Sequence, residues 1–600
     1  MTVSNQKAGF SVKAHRGDAK TLIAFNLAAA KIKKLAGFTI QYNFDGKGPF
    51  YLPNQLQFKD PSKHAHDSTL PPNSSFNAPL HKFRWMHVPG SFHQGLKPFY
   101  GPYTYTVTPR YFDGNGSLLA IDPDLSVAVT VEVSPFVKDK IELGFTRGFT
   151  QSQAFVHHFG PKAIFRPAGK ELLFDTKAVS GKDNQGNDYT FADEYEWLGF
   201  TAREKILALL DEVTQDPALR LKMFAYDLNE PDVMRSLLEL AKQDRVQVIL
   251  DNAGLHHDKA GSKPEDKFEA LFKLAATGSA KVLRGNFDRY AHDKVFIVSD
   301  ETGPVKVLTG STNFSITGLY VNSNHILIFN DPEVAATYAR VFQEVWDGNV
   351  SATFRNIPDA SKKFSFPDAD PKIDITFSPH TETFATQTLN DMAARIEKEG
   401  KQKGGSVLFA VMGLDKGTGP ILATLKDLHA NESIFNYGIS DTPGGIFLYK
   451  VGTKGGVLVS GKPARTKLPP PFDQVPGVGI GHQVHHKFVV CGFNGTDPAV
   501  YCGSSNLALL GEQDNGDNLL AIHDADIATV FVIEALALVD HFDFLNRNAE
   551  VAGKKPEQVK SASKTEQAVK SGWNLSTTDR WTIPYYDKND LHSVDRELFS

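Results

Sequence analysis

Two clusters of chemically active side chains recur in this chain: His292-Asp293-Lys294 ahead of Gly310-Ser311-Thr312-Asn313, and His485-His486-Lys487 ahead of Gly503-Ser504-Ser505-Asn506. The offset from histidine to glycine is the same in both. The register continues without a gap through Gly318 and Gly511, Asn322 and Asn515, Leu327 and Leu520, and Asp331 and Asp524, to Ala335 and Ala528. The chain therefore carries an internal duplication. In a strand, residues i and i+2 share a side, so His292 projects with Lys294 and His485 with Lys487. Each Gly-Ser-x-Asn is expected at the end of an adjacent strand, where glycine permits a tight turn and the polar side chains turn back towards the histidine. Two such halves face to face would make one site with paired imidazoles, paired ammoniums and neutral hydrogen-bonding groups.

That set suits phosphodiester chemistry. The anionic oxygens of a phosphodiester repel attack, so catalysis needs cations around phosphorus and a nucleophile that is uncharged at neutral pH. Lysines and neutral histidine meet both demands. One imidazole can attack phosphorus to form a phosphohistidine while the other, protonated, donates to the departing oxygen and then deprotonates water or an alcohol. The scheme requires no metal or cofactor, and the sequence offers no His-Glu-x-x-His or paired Cys-x-x-Cys ligand set.

His-x-Lys alone carries little information. His257-Asp258-Lys259 fits it, yet no Gly-Ser-x-Asn follows at the matching distance, and the triplet reads as a loop after the strand VQVILDN. Gly-Ser-x-Asn occurs only twice, both times in register with His-x-Lys, so two structural strands with incidental polar residues are the weaker explanation. His486, between two motif residues, is expected on the opposite face in a packing or surface role. His482 and the pair His157-His158 are likewise left out of the catalytic set.

The elements that must position these residues change character along the chain. Up to about residue 135, β-rich runs such as FTIQYNFDGKGPFYL, PYTYTVTPRYFDGNGSLLAI and LSVAVTVEVSPF alternate with Gly, Pro, Asn and Asp turns, which predicts a β-sandwich of immunoglobulin or fibronectin type III appearance over 1–140. From about 160, helical periodicity (AREKILALLDEVTQ, DVMRSLLELAKQ, PEDKFEALFKLAAT) alternates with strands (RVQVILDN, KVFIVSD, VKVLTGS, HILIFND), the pattern of an α/β sheet covered by helices. Asp331-Pro332-Glu333 has the cap, proline and acidic first turn of a helix start. An aperiodic stretch near 349–371 separates the halves, predicting one lobe over 150–355 and a second over 370–548. A Gly/Pro-rich segment with four basic residues at 453–480 has no counterpart in the first half and is expected to be a substrate loop or a solvated excursion. The tail from 549 to 600, Lys-rich and then aromatic at Trp573, Trp581, Tyr585 and Tyr586, suggests a strap docked on the body.

Net charge is −5 over 600 residues, which leaves no electrostatic footprint for broad nucleic-acid or anionic-membrane binding. Cys491 and Cys502 are read as small apolar packing residues. The start MTVSNQKAGFSVKAHRGD lacks a basic region followed by an apolar one, and no long uncharged apolar run occurs. The expectation is a cytoplasmic protein without an integral membrane segment.

These residues resemble the phospholipase D superfamily, whose duplicated His-Lys signature is followed by Gly-Ser-x-Asn in each half of a two-lobed α/β fold. The likeness covers roughly residues 150–548. It implies His292 as nucleophile and His485 as general acid and then base, with Lys294, Lys487, Ser311, Ser504, Asn313 and Asn506 holding the phosphate. Two departures stand out. The aspartate that usually follows the lysine by five positions is replaced by Ser299 and Gly492, with Asp300 and Asp497 nearby. The acidic residue beyond Gly-Ser-x-Asn is Asn324 in the first half and Asp517 in the second, so only one imidazole gains a carboxylate partner; Asp517 is assigned as an orienting residue, its histidine left open.

The expected function is metal-independent hydrolysis of a phosphodiester by the phospholipase D route, on a phospholipid head group or related diester, with peripheral membrane contact conceivable. A nuclease acting on DNA or RNA, transfer to an alcohol, and a non-catalytic anion-binding protein are the alternatives. Intact His and Lys in both copies favour an enzyme. A duplicated chain holds both lobes, so a monomer suffices.

Overall fold

The computed structural model describes residues 2–90, 93–148, 152–160, 163–169, 171–402, 404–414, 419–429, 435–440, 447–449, 456–458, 484–552 and 574–600. Most of the 453–480 segment, His482, the Lys-rich part of the tail and Trp573 lie outside the described residues.

The N-terminal region holds two four-stranded sheets. In strands Phe10–Arg16 and Thr21–Leu27, Phe10, Val12, Ala14, Ile23, Phe25 and Leu27 enter a core whose other side comes from Leu35–Phe44, Gly101–Tyr111 and Val127–Val133. Strand Val127–Val133 alternates buried and exposed residue by residue, as a strand with one wet face must. Tyr585 completes this core, with Trp581 and Tyr586 packed against it, and Arg84 holds Asp595 of the tail at 2.9 Å and Asp540 of the long helix Ala525–Ala552 at 2.8 Å.

Two large sheets follow. The first runs in the order Lys281–Gly285, Val246–Asp251, Arg220–Ala225, Val295–Asp300, Gly303–Gly310, His325–Phe329, Ile141–Phe145, Val137–Lys138. The second runs Phe435–Ile439, Ser406–Val411, Lys487–Cys491, Ala499–Gly503, Asn515–His523, Lys372–Ser378, Phe364–Phe366. Both begin with parallel pairing (281–285 with 246–251 and 246–251 with 220–225 in the first; 435–439 with 406–411 in the second), followed by antiparallel pairings through the strand after the His-x-Lys motif and the strand ending in its glycine. Strand Ile141–Phe145, ahead of the boundary expected at 150, belongs to the first sheet through its antiparallel pairing with His325–Phe329.

Strand alternation distributes side chains between cores. Val295 and Ile297 join a central core shared by both sheets and by helices Pro332–Asp347 and Ala525–Ala552; Phe296 and Val298 face an outer layer of helices Phe191–Gln215, Pro231–Lys242 and Pro264–Ala275. Phe488 and Val490 join the same central core, while Val489 and Cys491 face helices Glu382–Gly400 and Pro420–His429. Cys491 and Cys502 are buried, free, and in cores on opposite faces of one sheet. Helix Pro332–Asp347 starts as expected, with the Asp331 carboxylate accepting the amides of Glu333 and Val334. Among the described residues no helix is long and apolar enough to cross a membrane.

Candidate active site

The strand after each motif runs antiparallel to its neighbour, so its start lies where the neighbour ends: Val295 pairs with Phe224, and Lys487 with Val411. The histidines therefore sit at the carboxyl ends of the parallel strands, with Tyr226, Asp227 and Asp251 leaving the sheet beside His292. Open α/β sheets place ligands at such an edge.

The backbone then crosses between halves. Tyr290-Ala291 pairs with Asn515-Gly516, and the His292 amide donates to Gly516 O at 2.8 Å; Ser323 bridges Val484, and the His485 amide donates to Ser323 O at 3.0 Å. Each crossing delivers one imidazole to the residue that follows in the other half. His292 Nδ1 lies 2.7 Å from Asp517 Oδ1, and His485 Nδ1 lies 2.8 Å from Asn324 Oδ1. Asp517 thus orients His292. A hydrogen bond at Nδ1 turns Nε2 outward as the reactive nitrogen.

The middle motif residues make a second exchange on the opposite face. Asp293 Oδ1 accepts from Asn518 Nδ2 at 2.7 Å, and His486 Nδ1 lies 3.2 Å from His325 Nδ1 with the rings stacked. His486 has the packing role expected of it and a polar one besides: its Nε2 lies 3.5 Å from Glu534, which pairs with Lys20 of the N-terminal region at 2.5 Å.

Both lysines are buried. Lys294 Nζ donates to His292 O, and Lys487 Nζ to His485 O at 2.9 Å, which folds each ammonium back beside its own imidazole. Burial pushes Lys294 down to about 8, against the pull of the Asp517 and Asp293 carboxylates, and holds Lys487 well below the usual lysine range, helped by repulsion from Lys294. His292 is held well below the ordinary imidazole range by burial first and by the Lys294 and Lys487 charges next. Charges from both halves therefore act on one imidazole, which is neutral at pH 7. Burial raises Asp517 to about 6, opposed by Lys294, and raises Asp293 to about 7, reinforced by Asp517.

The serines depart from expectation. Ser311 Oγ donates to Asn324 Oδ1 at 2.9 Å, accepts the His325 amide at 3.1 Å and is fully buried. Ser504 Oγ accepts the Asn518 amide at 3.0 Å and is equally buried. The Ser311 hydroxyl is thus spent on Asn324, the partner of His485, and the Ser504 hydroxyl sits between the Asn518 amide and Asp293 Oδ1, 3.4 Å away. The asparagines differ: Oδ1 of both Asn313 and Asn506 is buried without a hydrogen-bond partner among the described residues. Turning either amide over presents its NH2 there at no cost in shape. Gly310 and Gly503 are required where they stand, at φ +146° and +132°, because a Cβ would lie 2.3 Å from His325 O and 2.4 Å from Asn518 O.

Tyr226 and His256 went unnoticed in the sequence. The Tyr226 ring packs edge-on against His292 at 4.6 Å and His256 at 4.4 Å, with Lys294 Nζ 4.9 Å from its centroid. His257, the residue that matched His-x-Lys, pairs instead with Asp266 on a half-exposed side chain. The one available signal was the end-of-strand position of Tyr226 and Asp251, which periodicity does not rank as functional.

Residues 214–346 match the family described as cardiolipin synthase, PLD-like domain. A 144-residue stretch is 31% identical to mitochondrial cardiolipin hydrolase of Xenopus laevis, covering 24% of this chain and 62% of that protein. Over those residues the chain is similar in sequence to phospholipase D-like proteins. It spans about three-fifths of the length of that curated relative. Solved structures that resemble it include the superfamily member Nuc of Salmonella typhimurium, at 23% identity over 24% of this chain and 86% of that one with a TM-score of 0.19, and phosphatidylserine synthase of Haemophilus influenzae, at 9% identity over 61% and 90% with a TM-score of 0.36.

Proposed function

We propose that the protein is a metal-independent phosphodiester hydrolase working through a phosphohistidine, with a phospholipid head group or a similar diester as substrate. The two large sheets are then pseudo-symmetric lobes of one duplicated unit, preceded by a β-sandwich and closed by the C-terminal strap. The observation that carries the reading is the crossed pair of Nδ1 contacts, His292 to Asp517 and His485 to Asn324, with a buried lysine folded back beside each imidazole.

His292, neutral and braced by a carboxylate, attacks phosphorus through Nε2; the phosphorus–nitrogen bond forms as the bond to the leaving oxygen breaks, and His485 supplies the proton that oxygen takes up. The ring becomes cationic on phosphorylation, and Asp517 stabilises that charge. His485 then takes a proton from water, whose oxygen attacks phosphorus and expels His292. Lys294, Lys487, Asn313 and Asn506 hold the phosphate oxygens. A bound phosphodiester anion also restores the charge that burial withholds from the lysines. Each requirement of the chemistry falls to a residue of the chain, so the scheme calls on no metal.

The cardiolipin hydrolase named among the relatives favours a lipid diester. The test is hydrolysis of a chromogenic phosphodiester by the parent, His292→Ala and His485→Ala. Turnover in the parent and near-complete loss in each variant is expected; equal turnover in all three would remove both roles. Parallel incubation with phosphatidylcholine vesicles and single-stranded DNA separates lipase from nuclease, and release of a head group is the expected result.

A further inference from the structure

Sharing a wall with the histidine site is a second cluster, which the chemistry above leaves unused. Asp227, His256 and Glu265 each bring a ligand atom within 4.8 Å of the others. They arrive from separate places: after strand Arg220–Ala225, after strand Val246–Asp251, and in the first turn of helix Pro264–Ala275. Glu265 is 1% exposed. One of its carboxylate oxygens accepts the Leu228 amide at 3.1 Å, while Oε2 is buried with no hydrogen-bond partner among the described residues. A carboxylate oxygen withdrawn from water and left without a donor is costly, and an orphan beside an imidazole and a second carboxylate marks the place of a cation.

His256 is braced in the manner of a metal-binding imidazole. Its Nδ1 lies 2.8 Å from Asp251 Oδ2, which leaves Nε2 as the ligand atom. Charge points the same way: Asp227, Asp251 and Glu265 surround one imidazole, and Arg284 near by is committed to Asp266 and Glu269. Asp227 is half-buried, which gives an ion a way in. We propose that Asp227, His256 and Glu265 bind a divalent first-row cation, Zn2+ or Mn2+, the ions suited to one imidazole with two carboxylates. Ligand atoms about 2.0–2.2 Å from zinc stand roughly 3.3–3.5 Å apart, so side-chain adjustments of about 1 Å close the site.

The ion would brace the wall behind His292. Tyr226, next to Asp227, packs against both His256 and His292, and Asp251, which holds His256, also accepts the Ala291 amide at 2.7 Å, one residue before His292. The role is structural and leaves the phosphoryl chemistry to the motif residues.

The full chain, purified without chelators, is assayed for metal by mass spectrometry, then stripped with EDTA and titrated with ZnCl2 or MnCl2 while thermal unfolding is followed. The parent is expected to carry about one equivalent, or to regain it on titration with Tm rising by about 2 °C or more. His256→Ala and Glu265→Gln are expected to hold less than about one-fifth of that and to lose the Tm response. Glu265→Gln keeps an acceptor for the Leu228 amide, so metal loss in this variant with an unchanged circular dichroism spectrum reports ligation rather than misfolding. A parent that is metal-free and whose Tm ignores both ions overturns the proposal, as does equal metal in the parent and both variants. None of these readouts involves turnover, so they stand or fall apart from the hydrolase reading.

Discussion

Replacing Asp517 by asparagine puts into the second half the residue that the first half already carries at the matching position, Asn324. The amide oxygen can still accept from His292 Nδ1, as Asn324 does from His485 at 2.8 Å, so ring orientation survives and the carboxylate charge alone is lost. In the proposed scheme His292 is neutral before reaction and becomes cationic on phosphorylation, so the charge matters in the transition state and little in the complex with substrate. Hydrogen bonds to charged groups contribute about 1.5–3 kcal/mol. Asp517 is 1% exposed, so solvent screening takes little from that figure. At about 1.4 kcal/mol per factor of ten, kcat should fall roughly 10- to 150-fold with KM nearly unchanged. Steady-state hydrolysis of a chromogenic diester at pH 7 measures this, with Tm as a control for folding. A kcat within twofold of the parent would refute the reasoning. So would full recovery in the double variant Asp517→Asn/Asn324→Asp, because that would make the two histidines interchangeable and remove the reason for naming His292 the nucleophile.

Further outcomes follow from the same structure. Sulfate, which does not titrate in this range, should bind with proton uptake and lose affinity as pH rises through about 8, because Lys294 at about 8 must be protonated to meet the anion; calorimetry in two buffers of different ionisation enthalpy reads the uptake, and pH-independent binding would contradict it. Asp293→Asn should stabilise the fold by about 1–3 kcal/mol at pH 8 and by less at pH 5. The sign follows from a carboxyl raised from 3.8 to about 7 by folding: its penalty is absent below the unfolded value, grows with pH, and is complete above 7; urea denaturation at the two pH values checks it. Gly503→Ala should cost about 2–4 kcal/mol by the same assay, since it forces a Cβ to 2.4 Å from Asn518 O at a φ of +132°.

Much of the local structure was legible. The unbroken apolar runs VFIV (295–298) and FVVC (488–491) marked strands anchored in a core, and Asp331-Pro332-Glu333 marked a helix start, because caps and apolar runs are set within a few residues. The strand-rich character of the N-terminal region was readable from turn spacing. The reach of the first sheet back to Ile141 was not, since a strand's partner, here His325–Phe329, is chosen by packing far along the chain. Serines inside Gly-Ser-x-Asn looked like phosphate ligands because residue type alone cannot say whether a hydroxyl faces the cleft or the protein. His257 matched a motif that His256, with no motif, outranks in place.

By itself the amino-acid sequence determined that the chain is duplicated, that a histidine and a lysine emerge together at the start of one strand in each copy, and that glycine ends the next. Those facts follow from covalent geometry and residue spacing, which act over a few positions. Only the tertiary structure decided that Asp517 serves His292, that Asn324 serves His485, and that Asp227, His256 and Glu265 meet. These partners lie on different elements, in the first two cases in different halves, and what joins them is the burial of two sheets and their helices around a common core.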